Sequence, residues 1–567
     1  MPSSRALFAL AVAVATAATG SAVASADDKP EGFRTSQPAM VTLGDRSDVT
    51  ITPLITVGET LAGGYRFESI PDGISVDKGE RGRGTLYVNH ETSTVPFPYV
   101  PADPTAANGE NDFDNAQLSR LVVDGKTATI LSGKMVIASV EGFQRFCSNF
   151  LATSKQGFDR DILFTNEEAI EWVNTAGRAW PSAQGAPGAR QSGVVVAYDP
   201  KSGKRQPIWG MGRHNHENSV AVPGFKDIVV LSGDDTFLTN PAQSQVYAYI
   251  ARNSRDVWAD KGDLWAFVSD TAGFDDYYDF VPGSTQSISG HFVKVPKDIA
   301  TGRVDGTGRD LMAADKGYAA PLVGEFAADA LGLPTDGPQY VLQKWGDAIT
   351  AFRFVRIEDI AYDKRPGQSN VVYLADSGRA STGAPAAGKS TNGRIWKMVF
   401  DRKDPTKVVS LSILVEGDDN PVKTLGEIHQ PDNLETTRAS LFVTEDPSSS
   451  QQFPFGSTDP AATTARLWRV PLEGAAAPEV AVKVDQSADG GPTDVDGRAP
   501  GSLGAWETSG IVDASSVFGS GAFLLDVQAH TLWVEKGDGD DLNGNGAPDW
   551  TNKREGGQLV LVRVPGA

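Results

Sequence analysis

Apolar residues along this chain come in short runs that end in acids, and the same plan recurs six times. The six segments are IPDGISVDKGERGRGTLYVNHE, FCSNFLATSKQGFDRDILFTNEE, HENSVAVPGFKDIVVLSGDD, EDIAYDKRPGQSNVVYLADSG, PDNLETTRASLFVTED and WETSGIVDASSVFGSGAFLLDVQAH. Each opens on a short motif holding an acid or a cysteine, passes through a connecting stretch, and closes with an apolar run that stops at polar or acidic residues. Further strand-like runs follow, as in GVVVAYD, QVYAYI, RIWKMVF and RLWRVPL. Short Val, Ile, Leu and Phe runs bounded by Gly, Asp, Asn and Pro predict strands and turns, hence an all-β chain.

The opening residues of the six segments are Asp72, Cys147, Glu217, Glu358, Asp432 and Glu507, separated by 75, 70, 141, 74 and 75 positions. One gap is close to two repeats and the others to one. Repeats of this length with several strands each suit propeller blades around a central channel. The sequence therefore predicts a six-bladed β-propeller over residues 61–567, with an insertion at about 251–350 between the third and fourth repeats. Residues 27–60 read as an N-terminal segment.

In an antiparallel hairpin the start of one strand and the end of the next share a rim. The opening residues should therefore meet a second set at one mouth: His90 and Glu91, Glu167 and Glu168, Asp234 and Asp235, Asp376, Glu445 and Asp446, and Asp526. That many carboxylates repel unless cations sit among them.

The start of the chain changes the setting. Arg5, an apolar run, and Ala24-Ser25-Ala26 ahead of two aspartates read as a signal peptide over 1–26. No later segment is apolar for long enough to span a bilayer. A secreted protein, extracellular or periplasmic, is expected. The net charge of −21 makes nucleic acid a poor partner. Cys147 is the only cysteine. Under oxidising conditions a lone thiol is either a small buried hydrophobe or a thiolate held by a metal, and both readings stay open. Carboxylates suit calcium, whereas a thiolate favours iron or zinc, so one thiol among many acids implies a mixed cluster. Zinc alone is less attractive, because Cys-x-x-Cys and His-Glu-x-x-His are both missing. His214 and His216 in GRHNHENS could form a metal pincer or be ordinary strand-end histidines.

These motifs, in this order, resemble the PhoX-type secreted alkaline phosphatases and their DUF839 relatives. The family's cysteine followed by Glu-Glu matches Cys147 with Glu167 and Glu168. Its Arg-x-Glu-Asp motif matches Arg356, Glu358 and Asp359, and Pro-Asp-Asn-Leu matches Asp432 and Asn433. Its Gly-Arg-x-x-His-Glu motif matches Gly212, Arg213, His216 and Glu217, and WETSGIVDAS with LLDVQAH looks like the calcium-rich last blade. The resemblance implies a six-bladed propeller, a calcium and iron cofactor with an iron-bound cysteine, and hydrolysis of small phosphate monoesters, in a chain expected to act as a monomer. It implies metal ligation by Cys147, Glu168, Glu217, Glu358, Asp359, Asp432, Asp446 and Glu507. It also implies contact with the substrate phosphate by Arg356 and Asn433. The chain departs from the family in a longer Cys-to-Glu-Glu segment without Trp-Gly-Thr, and in a leader without twin arginines.

A second calcium signal lies in GDGDDLNGNGAPDW, where Asp541, Asn543, Asn545 and Asp549 offer oxygens at close spacing. Its plainer reading is a polar surface loop. Two other functions remain open from sequence. One is a calcium-dependent lactonase or esterase, which needs no thiol. The other is a calcium-stabilised binding propeller, with Trp258, Trp265, Tyr277 and Tyr278 as a contact surface rather than packing between blades.

Overall fold

The structure, a computed structural model, describes residues 32–91, 116–138, 141–170, 172–174, 189–236, 241–304, 310–318, 337–378, 392–417, 424–447, 451–474, 476–495, 499–535 and 554–567. The leader and the calcium loop read at 541–549 lie outside the described residues.

Strands β1 (Val41–Leu43) and β2 (Thr50–Thr56) precede the first repeat. β3 (Pro71–Lys78), β4 (Arg83–His90), β5 (Gln117–Asp124) and β6 (Thr129–Ile137) make one antiparallel sheet. β7 (Phe146–Ala152) and β8 (Ile162–Glu167) precede β9 (Trp172–Asn174) and β10 (Ala189–Gln191), which pair with each other. β11 (Val195–Tyr198) and β12 (Arg205–Ile208) complete a second sheet in the order β7, β8, β11, β12.

A nine-stranded sheet follows. It runs β13 (His216–Val222), β14 (Ile228–Asp234), β15 (Val246–Ala251), β16 (Asp263–Ser269) and β17 (Ser287–Lys294), then returns through β18 (Ile357–Tyr362), β19 (Val371–Asp376), β20 (Arg394–Phe400) and β21 (Lys407–Glu416), with β17 beside β21. β22 (Pro431–Thr436), β23 (Ser440–Glu445), β24 (Arg466–Pro471) and β25 (Glu479–Val484) take β1 as a fifth strand. β26 (Glu507–Asp513), β27 (Ala522–Glu535) and β28 (Arg554–Arg563) take β2 as their fourth. Four short α-helices are described, at Ser254–Trp258, Lys297–Thr301, Gly337–Ala348 and Ser515–Phe518.

The chain is thus all-β and propeller-like, but it does not build six separate blades. The reason is β17, which comes from the expected insertion. It pairs with β16 through Trp265↔Lys294 and Ala266↔Val293, and with β21 through Ser287↔Ser412. Two open edges are thereby closed by one strand, which removes two rows of unpaired backbone groups. The ends of the same sheet, β13 and β18, lie against each other, so the sheet is nearly closed. Nor does the 27–60 segment stand apart, since β1 and β2 complete two sheets.

Burial explains the apolar runs. β8, β13, β14, β19 and β23 are buried along their whole length, so both faces of each carry core and hydrophobicity does not alternate. Leu86, Val88 and Leu121 of the first sheet pack with Leu524, Leu559 and Leu561 of the last. Tyr87 and Leu118 pack with Phe146, Leu163 and Val196 of the second. Each such side chain contributes about 1.5–3 kcal/mol on burial. The aromatic residues weighed as a contact surface belong to this packing: Tyr277 is buried beside Trp396, and Trp258 joins the core that holds Val257 and Leu264.

Candidate metal centre

Six strands form an inner ring, each against the next: β3, β7, β13, β18, β22 and β26, which returns to β3. The ring delivers Asp72, Cys147, Glu217, Glu358, Asp432 and Glu507 to one cavity of about 340 Å³. In five of these strands the register with the neighbour shifts across the ligand position, between Pro71 and Ile74, Phe146 and Asn149, His216 and Ser219, Ile357 and Ile360, and Pro431 and Leu434, whereas in β26 it shifts between Ser509 and Val512, beyond Glu507. Such bulges re-aim side chains beside functional sites.

The downstream acids divide into two kinds of work. The first of each pair holds the loop before the inner strand. Glu167 accepts from the Gln144 amide at 2.9 Å and forms a bidentate pair with Arg190. Asp376 accepts from the Val355 and Arg356 amides at 3.2 and 2.9 Å and from the Trp396 indole at 3.1 Å. Glu445 accepts from the His429 amide at 2.7 Å, and Asp234 from that of Asn215 at 3.2 Å.

The second residue of each pair is pinned by its own backbone. The amides of Glu91, Glu168, Asp235, Ser377 and Asp446 donate to the carbonyls of Ile70, Arg145, Asn215, Arg356 and Gln430, at 2.9–3.1 Å. In the last sheet Glu507 pairs with Gln528 ahead of the register shift, and His530 lies two residues further along β27. Asp526, opposite Ser509 where the shift begins, takes the place that Glu167, Asp376 and Glu445 take opposite Phe146, Ile357 and Pro431. It is fully buried, does not line the cavity, and neither carboxylate oxygen has a hydrogen-bond partner among the described residues.

Nine carboxylates line the cavity, Asp72, Glu91, Glu168, Glu217, Glu358, Asp432, Asp446, Glu507 and Glu555, with Cys147, against Arg145, Arg356 and His530. Burial, followed by the neighbouring charges, pushes the Glu168, Glu217, Glu358 and Asp432 carboxyls well above their usual range, and Glu91 to about 7. Burial and the charge of Asp72 push the Cys147 thiol up as well. Its Sγ donates to Asp72 Oδ2 at 2.7 Å. One donor atom each from Asp72, Cys147 and Glu217 lie within 4.8 Å of one another. Glu217 Oε1 accepts from Ser148 Oγ at 2.7 Å, while the buried Oε2 has no hydrogen-bond partner among the described residues. Buried carboxylates of this kind call for cations, so the donor set fits a hard cation on oxygen and a softer one at the thiol.

Of the residues expected at the site, Cys147, Glu168, Glu217, Glu358, Asp432, Asp446, Glu507 and Arg356 share this cavity. Asp359 and Asn433 do not, because each follows an inward residue on a strand and points elsewhere. Asp359 lines a second cavity of about 170 Å³, accepting from the Leu434 amide at 2.7 Å. The Asn433 amide group donates to Ser148 Oγ and its Oδ1 accepts from Ser509 Oγ, both at 3.2 Å, which ties three inner strands together. Arg356 lines the cavity, but its fork is engaged: Nε and one terminal nitrogen donate to the two oxygens of Asp235 at 2.7 Å, and a terminal nitrogen lies 2.7 Å from Glu358 Oε1.

His214 and His216 lie tilted against each other with ring centroids 3.4 Å apart, away from the main cavity; His214 lines a separate space of about 30 Å³ beside Asp234. Sequence reasoning missed Arg145, His530 and Glu555. Arg145 could have been found as the position matching Arg356, two residues before the inward ligand. His530 sits between Glu507 (3.1 Å) and Glu555 (3.2 Å), and Glu555 carried no motif.

No protein family matches the chain, and no curated protein does. Among solved structures, it is similar to a glycoside hydrolase family 43 arabinoxylan arabinofuranohydrolase from Bacillus subtilis (10% identity, TM-score 0.25, covering 88% of this chain and 92% of that one). It is also similar to Trypanosoma rangeli sialidase (8%, 0.21, 91% and 96%) and to the computationally designed Ika8 protein (7%, 0.25, 84% and 98%). Likeness at these TM-scores carries no argument about fold or activity.

Proposed function

We propose that the protein is a calcium- and iron-dependent phosphoric monoester hydrolase of the PhoX type, acting at the mouth of the inner ring of this propeller-like fold. The observation that carries this reading is the convergence of nine carboxylates and the sole thiol on one cavity that also holds arginine. Cys147, Asp72 and Glu217 would hold the thiol-bound iron. Glu168, Glu358, Asp432, Asp446 and Glu507 would hold calcium. The bound ions would supply Lewis-acid neutralisation of the phosphoryl oxygens.

The chain's own groups do the positioning. Ser148 and Ser377 each donate at 2.7 Å to one ligand carboxylate, Glu217 and Glu358, and so fix which oxygen remains for a cation. Arg356 reaches the same Glu358 oxygen as Ser377, Oε1. His530, whose charge is favoured by Glu507 and Glu555 against the cost of burial, tempers the negative field at the rim. Secretion by the leader fits calcium supply from outside the cell.

The test is element analysis of protein purified without chelator, together with turnover of an aryl phosphate at alkaline pH. Calcium with iron and measurable turnover are expected. A full metal complement without turnover would sink the hydrolase reading, and calcium alone after iron supplementation would sink the mixed cluster.

A further inference from the structure

Of the four acids that hold the loops before inner strands, three also take a buried side-chain donor. Glu167 has Arg190, Asp376 has the Trp396 indole, and Glu445 has both Arg466 and the Trp468 indole. Asp234 takes no side-chain hydrogen bond among the described residues; its partners are the Asn215 amide and, at 4.0 Å, His214 Nδ1. The register shows why. Trp396 pairs with Leu374 and Trp468 with Val443, each two residues before the acid, and the matching partner of Ser232 is Tyr247. The Tyr247 hydroxyl donates to Gln245 Oε1 at 2.8 Å instead. Tyr247 and Asp234 are left lining the separate space of about 30 Å³.

That space is rich in acceptors. His214 Nδ1 is buried and has no hydrogen-bond partner among the described residues. The ring is clamped between His216, with centroids 3.4 Å apart, and Tyr247, at 4.8 Å. Its Nε2 lies 3.3 Å from Ser232 Oγ. With the proton on Nε2 and given to that hydroxyl, Nδ1 presents its lone pair, which is how a metal-bound imidazole is usually oriented. Asn215 lines the same space, and its Oδ1 has no hydrogen-bond partner among the described residues either. His216 does not line it, so the residue that complements His214 is Asp234 and not its neighbouring histidine. Buried acceptors without donors are costly, and one cation would serve all three.

The dimensions suit a single ion. Two metal–ligand bonds of about 2.0–2.2 Å each can span the 4.0 Å between His214 Nδ1 and Asp234 Oδ1. A water needs roughly 10–15 Å³, so about 30 Å³ admits an ion together with a water. An imidazole beside a carboxylate favours a borderline cation over calcium.

We propose that His214 and Asp234 form a second metal site, apart from the ring cavity, which takes one divalent cation of the zinc class on His214 Nδ1 and the Asp234 carboxylate, with Asn215 Oδ1 and water completing the shell. The ion ties the turn that leads into Glu217 to the end of β14. Arg190 and Arg466 do the same work for other loops, since each bonds its acid and loop carbonyls together. The site is structural and does not depend on the hydrolase reading.

The test soaks crystals of the chain in zinc and records anomalous scattering at the zinc edge. A peak between His214 Nδ1 and Asp234 is expected; a water alone there, with zinc confined to the ring cavity, would overturn the site. In equilibrium dialysis Asp234→Asn and His214→Gln should each hold about one zinc fewer per chain than the wild type. Both should also lose part of the rise in melting temperature that zinc gives the wild type. Cys147→Ala reports uptake by the ring and should leave this zinc in place. Equal zinc content and equal melting shifts in the wild type and both site variants would overturn the proposal, as would loss of all bound zinc in Cys147→Ala. Should the site variants fail to fold, the wild-type anomalous map decides. None of these readouts uses turnover, so failure of the hydrolase reading leaves the result standing.

Discussion

Arg356 and Asp235 meet fork to fork, Nε on Oδ1 and a terminal nitrogen on Oδ2, both at 2.7 Å and both buried. The Asp235 carboxyl is held below its usual range, because Arg356 outweighs the effect of burial. Arg356→Ala should therefore destabilise the protein by about 3–5 kcal/mol, since it leaves the buried Asp235 carboxylate without its cation. Denaturant unfolding of the metal-loaded protein measures it, and a loss of activity with unchanged stability would contradict this account.

Cys147→Ala should abolish iron binding and lower aryl phosphate turnover about 100-fold or more, the order expected when a charge-stabilising element is lost. Element analysis and turnover read the two effects separately. Retention of iron and full activity would reduce Cys147 to packing.

Metal-free protein should become less stable as pH rises. Burial places the carboxyls of Glu91, Asp359 and Asp376 at about 7, against about 4 in the unfolded chain. Between those values the folded state keeps protons that the unfolded chain has released, so their contribution falls as pH climbs through that window. With chelator present, the melting temperature should be higher at about pH 5 than at about pH 8. Added calcium should reverse the difference, because bound ions favour the folded state. Equal melting temperatures in chelator would count against the buried-acid picture.

Gly73→Ala should lower stability by about 1–3 kcal/mol or more. A Cβ there would stand 2.3 Å from the Asn149 amide nitrogen and 2.6 Å from the Ser148 Cα. Both are backbone atoms of the next inner strand, so the added methyl must push β3 and β7 apart. Thermal melting with and without calcium checks this, and a neutral substitution would mean that the ring is looser than drawn.

The inner ring was legible in the sequence because its ligands recur at blade spacing, and charged residues closing apolar runs are conspicuous. Asp359 and Asn433 were misplaced because motif identity says nothing about which side of a strand a residue takes. Asp234 and Asp376 looked like ring ligands, yet the amides they accept lie in loops that sequence spacing does not describe. β17 escaped because its repeat had no acid motif to mark it, and its SISGHFVK run gains meaning only from two sheet edges distant in the chain. Arg145 was open to the sequence, since it stands two residues before Cys147 as Arg356 stands two before Glu358, but no motif drew attention to it.

The last sheet takes its fourth strand from near the chain's beginning. Thr50 pairs with Arg563, and the Met40 amide reaches Gln558 Oε1 across 518 positions. Such a contact cannot form until the final strand has been synthesised, so the ring stays open for nearly the whole of translation. Loop-closure entropy grows slowly with length, but sequence-distant pairing slows folding. The chain should therefore reach its native state late, through species with open sheet edges, and removal of β28 should leave β2 and β27 as aggregation-prone edges instead of merely shortening the protein.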